Sequence, residues 1–144
     1  MTEARSRGAR RIAERMGLDV VDARPVDHGD GSAASAVRSW AASGVTGVVA
    51  FNDETAAATV GAALRAGLSV PGDLAVIGHD DMPLAAMFVP SISSVRTDTI
   101  GLGRRLAELA LHELDGRPPT QGVPNLGATA IARESTGTCS DRGA

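Results

Sequence analysis

The chain alternates between segments of helical and strand patterning, and that alternation constrains its fold more than any other feature. Residues 3–17 place Ala9, Ile12, Ala13 and Met16 at helical spacing and stop at Gly17. Residues 18–23 are a short strand candidate, followed by a polar, glycine-rich loop from Asp27 to Ser32. A helix is expected from about Ala33 to Ala42, with Val37 and Trp40 turned inward and Gly44 closing it. The β-branched run from Val45 to Phe51 reads as a buried strand. Asn52-Asp53 ends it and opens an alanine-rich helix, residues 54–66, stopped by Gly67.

A turn at Pro71-Gly72 leads to a second buried strand, residues 74–78, with His79-Asp80-Asp81 at its end. A short apolar segment over residues 83–89 is broken by Pro90, and residues 93–96 are extended. Thr97 or Asp98 caps a long helix over about 99–114, with Ile100, Leu106, Leu109, Ala110 and Leu114 on one side. Gly116 and Pro118-Pro119 end it, and a loop to Gly127 leads to a last strand, 128–132, and a polar tail. This order predicts an α/β fold, a parallel sheet with helices on both faces. The long helix has fewer strands around it and is assigned to a different packing layer.

Composition narrows the function classes. At 144 residues the chain is one domain or one lobe of a larger protein. Hydrophobic content of 43% and charge of 22% mark a globular chain. Cys139 is the one cysteine, so no intramolecular disulfide is expected. No apolar run approaches the roughly 20 residues of a membrane span, and no apolar stretch follows the basic start to make a secretory signal. A cytoplasmic protein without a membrane partner is expected. The net charge of −3 has the wrong sign for a domain that grips phosphates. Aromatic content of 2% argues against a stacking platform for single-stranded nucleic acid.

In open parallel sheets, ligands bind outside the carboxyl ends of the strands. One strand delivers Asn52 and Asp53 to that edge, and another delivers Asp80 and Asp81. Their amide and carboxylates can exchange hydrogen bonds with the hydroxyls of a sugar or similar polyol. Asp53 also reads as an N-cap for the following helix, and Asp81 as a cap for the next segment. His79-Asp80-Asp81 has metal-ligand residue types, but adjacent residues on a strand end point in different directions, so no metal is expected. Gly101-x-Gly103 lacks the third glycine of a dinucleotide loop, and neither a Walker nor a GxSxG motif is present. No cofactor and no catalytic activity are expected. The arginines at 5, 7, 10, 11 and 15 form a solvated helix face from which one could reach an anion or ligand.

Residues 70–81, Val-Pro-Gly-Asp-Leu-Ala-Val-Ile-Gly-His-Asp-Asp, followed by Pro90–Val95 and Asp98, resemble the LacI/GalR family of transcription regulators. Ala50-Phe51-Asn52-Asp53, Ala56, Gly67, Gly103, Gly116 and Ala132–Thr136 fit the same pattern, which covers about residues 5–137. The resemblance implies the C-terminal part of a two-lobed, effector-binding core of the periplasmic-binding-protein-like (type I) fold. On that layout the C-terminal lobe takes about residues 3–92 plus the last strand, 127–133. The helix 97–115 packs on a first lobe that is missing here, and 134–144 is a tail. The DNA-binding headpiece is likewise absent, so operator DNA is a partner only through a segment outside this chain.

The resemblance also implies ligand contacts at Arg5, Asn52 and Asp80, with Asp53 and Asp81 in support. It implies a homodimer surface over Ala57, Gly61, Leu64, Leu84, Met87 and Phe88. The small-molecule effector would be a sugar or related metabolite, and the parent regulator a repressor. One departure matters. After Gly29-Asp30 many sugar-binding members carry an aromatic that stacks on the ligand, and this chain carries Gly31. Two alternatives stand beside this: a lobe of a sugar-binding transport protein, and a truncated remnant without activity.

Overall fold

A computed structural model describes residues 2–19, 22–27, 29–116 and 127–137. Its centre is a four-stranded sheet in the order β1 (Gly47–Val49), β2 (Ala75–His79), β3 (Ser93–Thr97), β4 (Ala128–Ile131). The first three strands are parallel, with Val49 opposite Ile77 and Ile77 opposite Ser93. β4 departs from the expected parallel sheet. It runs antiparallel to β3, with Thr97 opposite Ala128, so the chain re-enters the sheet at the end where β3 leaves it.

Five helices accompany the sheet: α1 (Thr2–Arg15), α2 (Ser32–Ala42), α3 (Asp53–Arg65), α4 (Pro83–Met87) and α5 (Thr99–Leu114). α3 packs on β2, and α2 and α4 pack on α3. Val37 and Trp40 of α2 turn inward as the spacing predicts, and meet Val60, Leu74, Val76 and Ile92. Each such large side chain contributes about 1.5–3 kcal/mol by leaving water. Fully buried Ala56 and Ala63 on α3 keep these elements close. No helix among the described residues is long and apolar enough to cross a membrane.

Two local expectations change, and α5 resolves two points the sequence left open. β1 is not a buried strand but an edge strand, with Val49 74% exposed. Leu18, Asp19, Asp22 and Ala23 are not in a strand that could cover it; Val20 and Val21 lie outside the described residues. On α5 the apolar side faces solvent: none of its residues is buried, and Ile100, Leu106 and Leu114 are well exposed. Its cap is Asp98 rather than Thr97, because Asp98 Oδ1 accepts from the Gly101 N–H at 2.8 Å.

The segment after β4 is laced to the sheet rather than loose. Buried Ser135 donates from Oγ to the Val76 carbonyl at 2.6 Å and accepts there from the Ser93 N–H at 2.8 Å. Its own N–H donates to the Ser91 carbonyl at 2.9 Å. Glu134 Oε2 accepts from the Ser91 N–H and hydroxyl, and the N–H bond is the larger cause of its lowered pKa. These five residues join the entries of β2 and β3 to the end of the described chain. Cys139 lies outside the described residues.

Candidate functional site

Asn52 and Asp53 follow β1, and their roles differ from those the sequence suggests. Asn52 is the N-cap of α3: its backbone is extended, and its Oδ1 accepts from the Thr55 N–H at 2.9 Å. Asp53 therefore does not cap. It is the first helical residue and is fully buried. Its Oδ2 accepts from the Met82 N–H and its Oδ1 from the Ser94 hydroxyl, both at 2.6 Å. A carboxylate so placed is satisfied internally and ties the start of α3 to the loop after β2 and to β3. Gly78 makes this possible, since a Cβ there would collide with Asp53 Oδ1 and lie 3.0 Å from its Cα.

Asp80 and Asp81 follow β2 with φ of 95° and 50°, a left-handed bend that side chains rarely adopt. Two cross-strand bonds hold it. The Asp80 N–H donates to the Val95 carbonyl at 2.9 Å, and the Asp81 N–H to Ser94 Oγ at 3.0 Å. The bend sends the two carboxylates to different surroundings. Asp81 turns inward, its side chain only 5% exposed, and accepts from Arg133 Nη2 and Arg96 Nε at 2.6 Å each. Arg133 also donates from Nη1 to the Ile92 carbonyl. The Arg133 hydrogen bond is the main cause that holds the Asp81 carboxyl below its ordinary pKa; burial opposes it, and Arg96 reinforces it. Asp81 thus caps nothing, and the N-cap of α4, Met82, makes no side-chain cap bond. Asp80 instead stays exposed, with Oδ1 against His79 Nδ1 at 2.6 Å.

Asn52 and Asp80 each stand three residues beyond the paired Val49 and Ile77, at the carboxyl ends of neighbouring parallel strands. Arg5 joins them from α1: Nη1 donates to the Phe51 carbonyl at 3.3 Å, and the guanidinium lies 4.6 Å from the Phe51 ring centre. Asn52 Oδ1 is engaged by the cap, and its Nδ2 carries the side chain's donor hydrogens. A groove of about 390 Å³ opens on the other side of Asp80, where Arg96, Thr97, Thr99 and Thr129 line it with Asp80 and Asp81; Arg5 and Asn52 do not. Among the described residues no three His, Cys, Asp or Glu side chains gather to hold a metal.

Gly31, at the aromatic position, has a backbone reason to be glycine: it is the N-cap of α2 with φ of 80°. Beside it Asp30 Oδ1 accepts from the Ser32 N–H at 2.8 Å, and hydrogen bonding from Ser32 lowers its pKa. The expected dimer residues lie on α3 and α4, two helices in contact, with Phe88 at the C-cap of α4. Ala57, Gly61 and Phe88 are partly exposed, and Leu64, Leu84 and Met87 more so, Met87 at 75%. Sequence reasoning missed Ser94, Arg96 and Arg133 as supports of this edge. The one available signal was the set of family-like segments that contain Ser94 and Arg133.

The periplasmic binding protein-like domain family matches residues 1–136. The HTH-type transcriptional regulator GntR of Pseudomonas aeruginosa is 39% identical over 92 residues, 64% of this chain and 27% of that protein. The lactose operon repressor of Rhizobium radiobacter is 39% identical over 76 residues, 53% of this chain and 67% of that protein. Among solved structures, a LacI family regulator from Arthrobacter sp. FB24 in complex with lactose is 30% identical with a TM-score of 0.69. That match covers 88% of this chain and 48% of the other. The chain spans 27–28% of the length of the first three curated relatives it matches. Its mixed sheet flanked by helices is that of a type I periplasmic-binding-protein-like lobe, and its relatives are regulators rather than enzymes. The chain belongs to the LacI/GalR regulators and carries the C-terminal-like region of their effector-binding domain.

Proposed function

We propose that this chain is the effector-sensing and dimerising part of a cytoplasmic LacI-type repressor, and that it binds a small hydroxyl-rich molecule such as a sugar. The observation that carries this is the placement of Asn52 and Asp80 at the ends of adjacent parallel strands, with Arg5 held beside them on Phe51. Arg5 offers a forked donor, Asn52 Nδ2 a donor, and Asp80 an exposed acceptor. Gly31 in the stacking position favours a small ligand or one held by hydrogen bonds alone. The lactose in the Arthrobacter complex supports a sugar as the class.

Two further parts belong to this proposal. The residues over 3–92 and 127–133 act as one lobe, and α5 is a helix whose apolar side belongs against the other lobe; its exposed Ile100, Leu106 and Leu114 support that. The exposed Leu64, Leu84 and Met87, with Ala57, Gly61 and Phe88, form a homodimer surface. Operator contact falls to a headpiece outside this sequence. In a two-lobed regulator the effector acts by binding one lobe arrangement better than the other. A lobe of a sugar-transport protein would share the ligand edge but would not need the apolar patch.

Saturation-transfer NMR with a panel of pentoses, hexoses and disaccharides tests the site. Weak binding to this single lobe is expected, with loss in Asp80→Ala and in Arg5→Ala. Binding that both variants retain would refute the assigned contacts.

A further inference from the structure

We propose that His79 is a positioning residue for Asp80: it holds the carboxylate by one oxygen and so fixes the direction in which Asp80 meets a ligand. The inference rests on the reading of Asp80 as a ligand contact. His79 closes β2 and pairs with Val95 of β3, so its backbone is fixed by the sheet. Its side chain is largely covered, at 24% exposure, and its Nδ1 stands 2.6 Å from Asp80 Oδ1.

Asp80 needs such a tether. Its φ of 95° is unfavourable for a residue with a Cβ, and its carboxylate is 44% exposed. An exposed aspartate ordinarily samples several rotamers. The backbone bond from its N–H to Val95 fixes the main chain but not the side chain. A donating Nδ1–H supplies the missing restraint, and it requires the Nδ1-protonated form of the imidazole when the ring is neutral. Arg96 and Arg133, the nearby cations on the β3 and β4 side, are both engaged by Asp81. Arg5 is held at Phe51. The described contacts therefore leave His79 as the side chain that fixes Asp80.

The consequence is a fixed direction of approach. With Oδ1 engaged by His79, Oδ2 is the carboxylate oxygen held ready for a ligand donor. Holding the carboxylate still before the ligand arrives lowers the ordering cost of binding.

Two NMR measurements on the isolated, ligand-free chain test this. Three-bond couplings to the Asp80 Cγ report its χ1 rotamer. A single rotamer is expected in the wild type and in His79→Asn, whose amide reproduces the Nδ1 donor, and rotamer averaging in His79→Phe. Averaging in the wild type, or a single rotamer in His79→Phe, would overturn the proposal. The ring 15N shifts of wild-type His79 give a second readout that needs no variant to fold. Protonation at Nδ1 in the neutral ring is expected, and protonation at Nε2 alone would overturn it. Because no ligand is present, these outcomes are independent of whether the panel finds a sugar that binds.

Discussion

The Ser94 hydroxyl donates to Asp53 Oδ1 at 2.6 Å, joining the second residue of β3 to the first residue of α3 in the interior of the protein. Ser94 Oγ also receives the Asp81 N–H. One hydroxyl thus links the buried end of α3 to the strained bend that presents Asp80. The candidate site stands on this link, because it fixes the end of β2 relative to the end of β1.

Removing either partner leaves a buried polar group without its bond. Ser94→Ala is expected to cost about 1–3 kcal/mol, and Asp53→Ala more, about 3 kcal/mol, since it also orphans the Met82 N–H. Urea denaturation followed by circular dichroism measures both. Losses below about 0.5 kcal/mol would show the link to be dispensable.

Gly78→Ala is expected to destabilise by about 1–3 kcal/mol, by forcing Asp53 away from the strand. Combined with Asp53→Ala its effect shrinks, because the carboxylate is gone and only the close approach to the backbone Cα remains. A double-mutant cycle checks the coupling.

Asp81 gives an acid-dependent signature. Its folded pKa is lowered, so the stability it contributes is present above the ordinary value of 3.8 and fades as pH falls below it through the lowered value. Asp81→Asn is expected to lower stability at neutral pH by about 2 kcal/mol and to narrow the gap to wild type in that acidic window. Chemical denaturation at a series of pH values measures it; a gap that stays constant through the window would contradict the assignment.

For Asp80, the proposed ligand contact, function and stability are expected to oppose each other. Asp80→Gly removes the left-handed strain and is expected to stabilise the chain by up to about 1 kcal/mol, while abolishing ligand binding. Thermal melts and the sugar panel read the two effects separately.

The proposed dimer surface predicts that the wild-type chain self-associates and that Leu64→Glu with Met87→Glu gives monomers. Both residues are exposed, so the fold should persist. Sedimentation velocity distinguishes the species.

The sequence carried the element order well, because helix and strand periods are local. It also carried the carboxyl-edge location of Asn52 and Asp80, which follows from strands ending in polar residues. It did not distinguish Asn52 from Asp53 as the cap, since both are good acceptors at a helix start. The outcome depends on Asn52 keeping an extended backbone while Gly78 opens room for Asp53. Asp81 was opaque for a different reason: its partners Arg96 and Arg133 lie 15 and 52 residues along the chain. The direction of β4 was equally hidden, because alternation reports faces and not polarity. On α5 the apolar spacing was plain, but spacing alone does not say what the helix packs against.

The most direct measurement is backbone chemical-shift mapping of the 15N-labelled chain during titration with a sugar that the panel selects. Concerted movement of the signals of Phe51, Asn52, Asp80 and Asp81, together with Arg5, is the predicted result. Perturbations confined to other surfaces, with these signals still, would contradict the assignment of the ligand to the ends of β1 and β2.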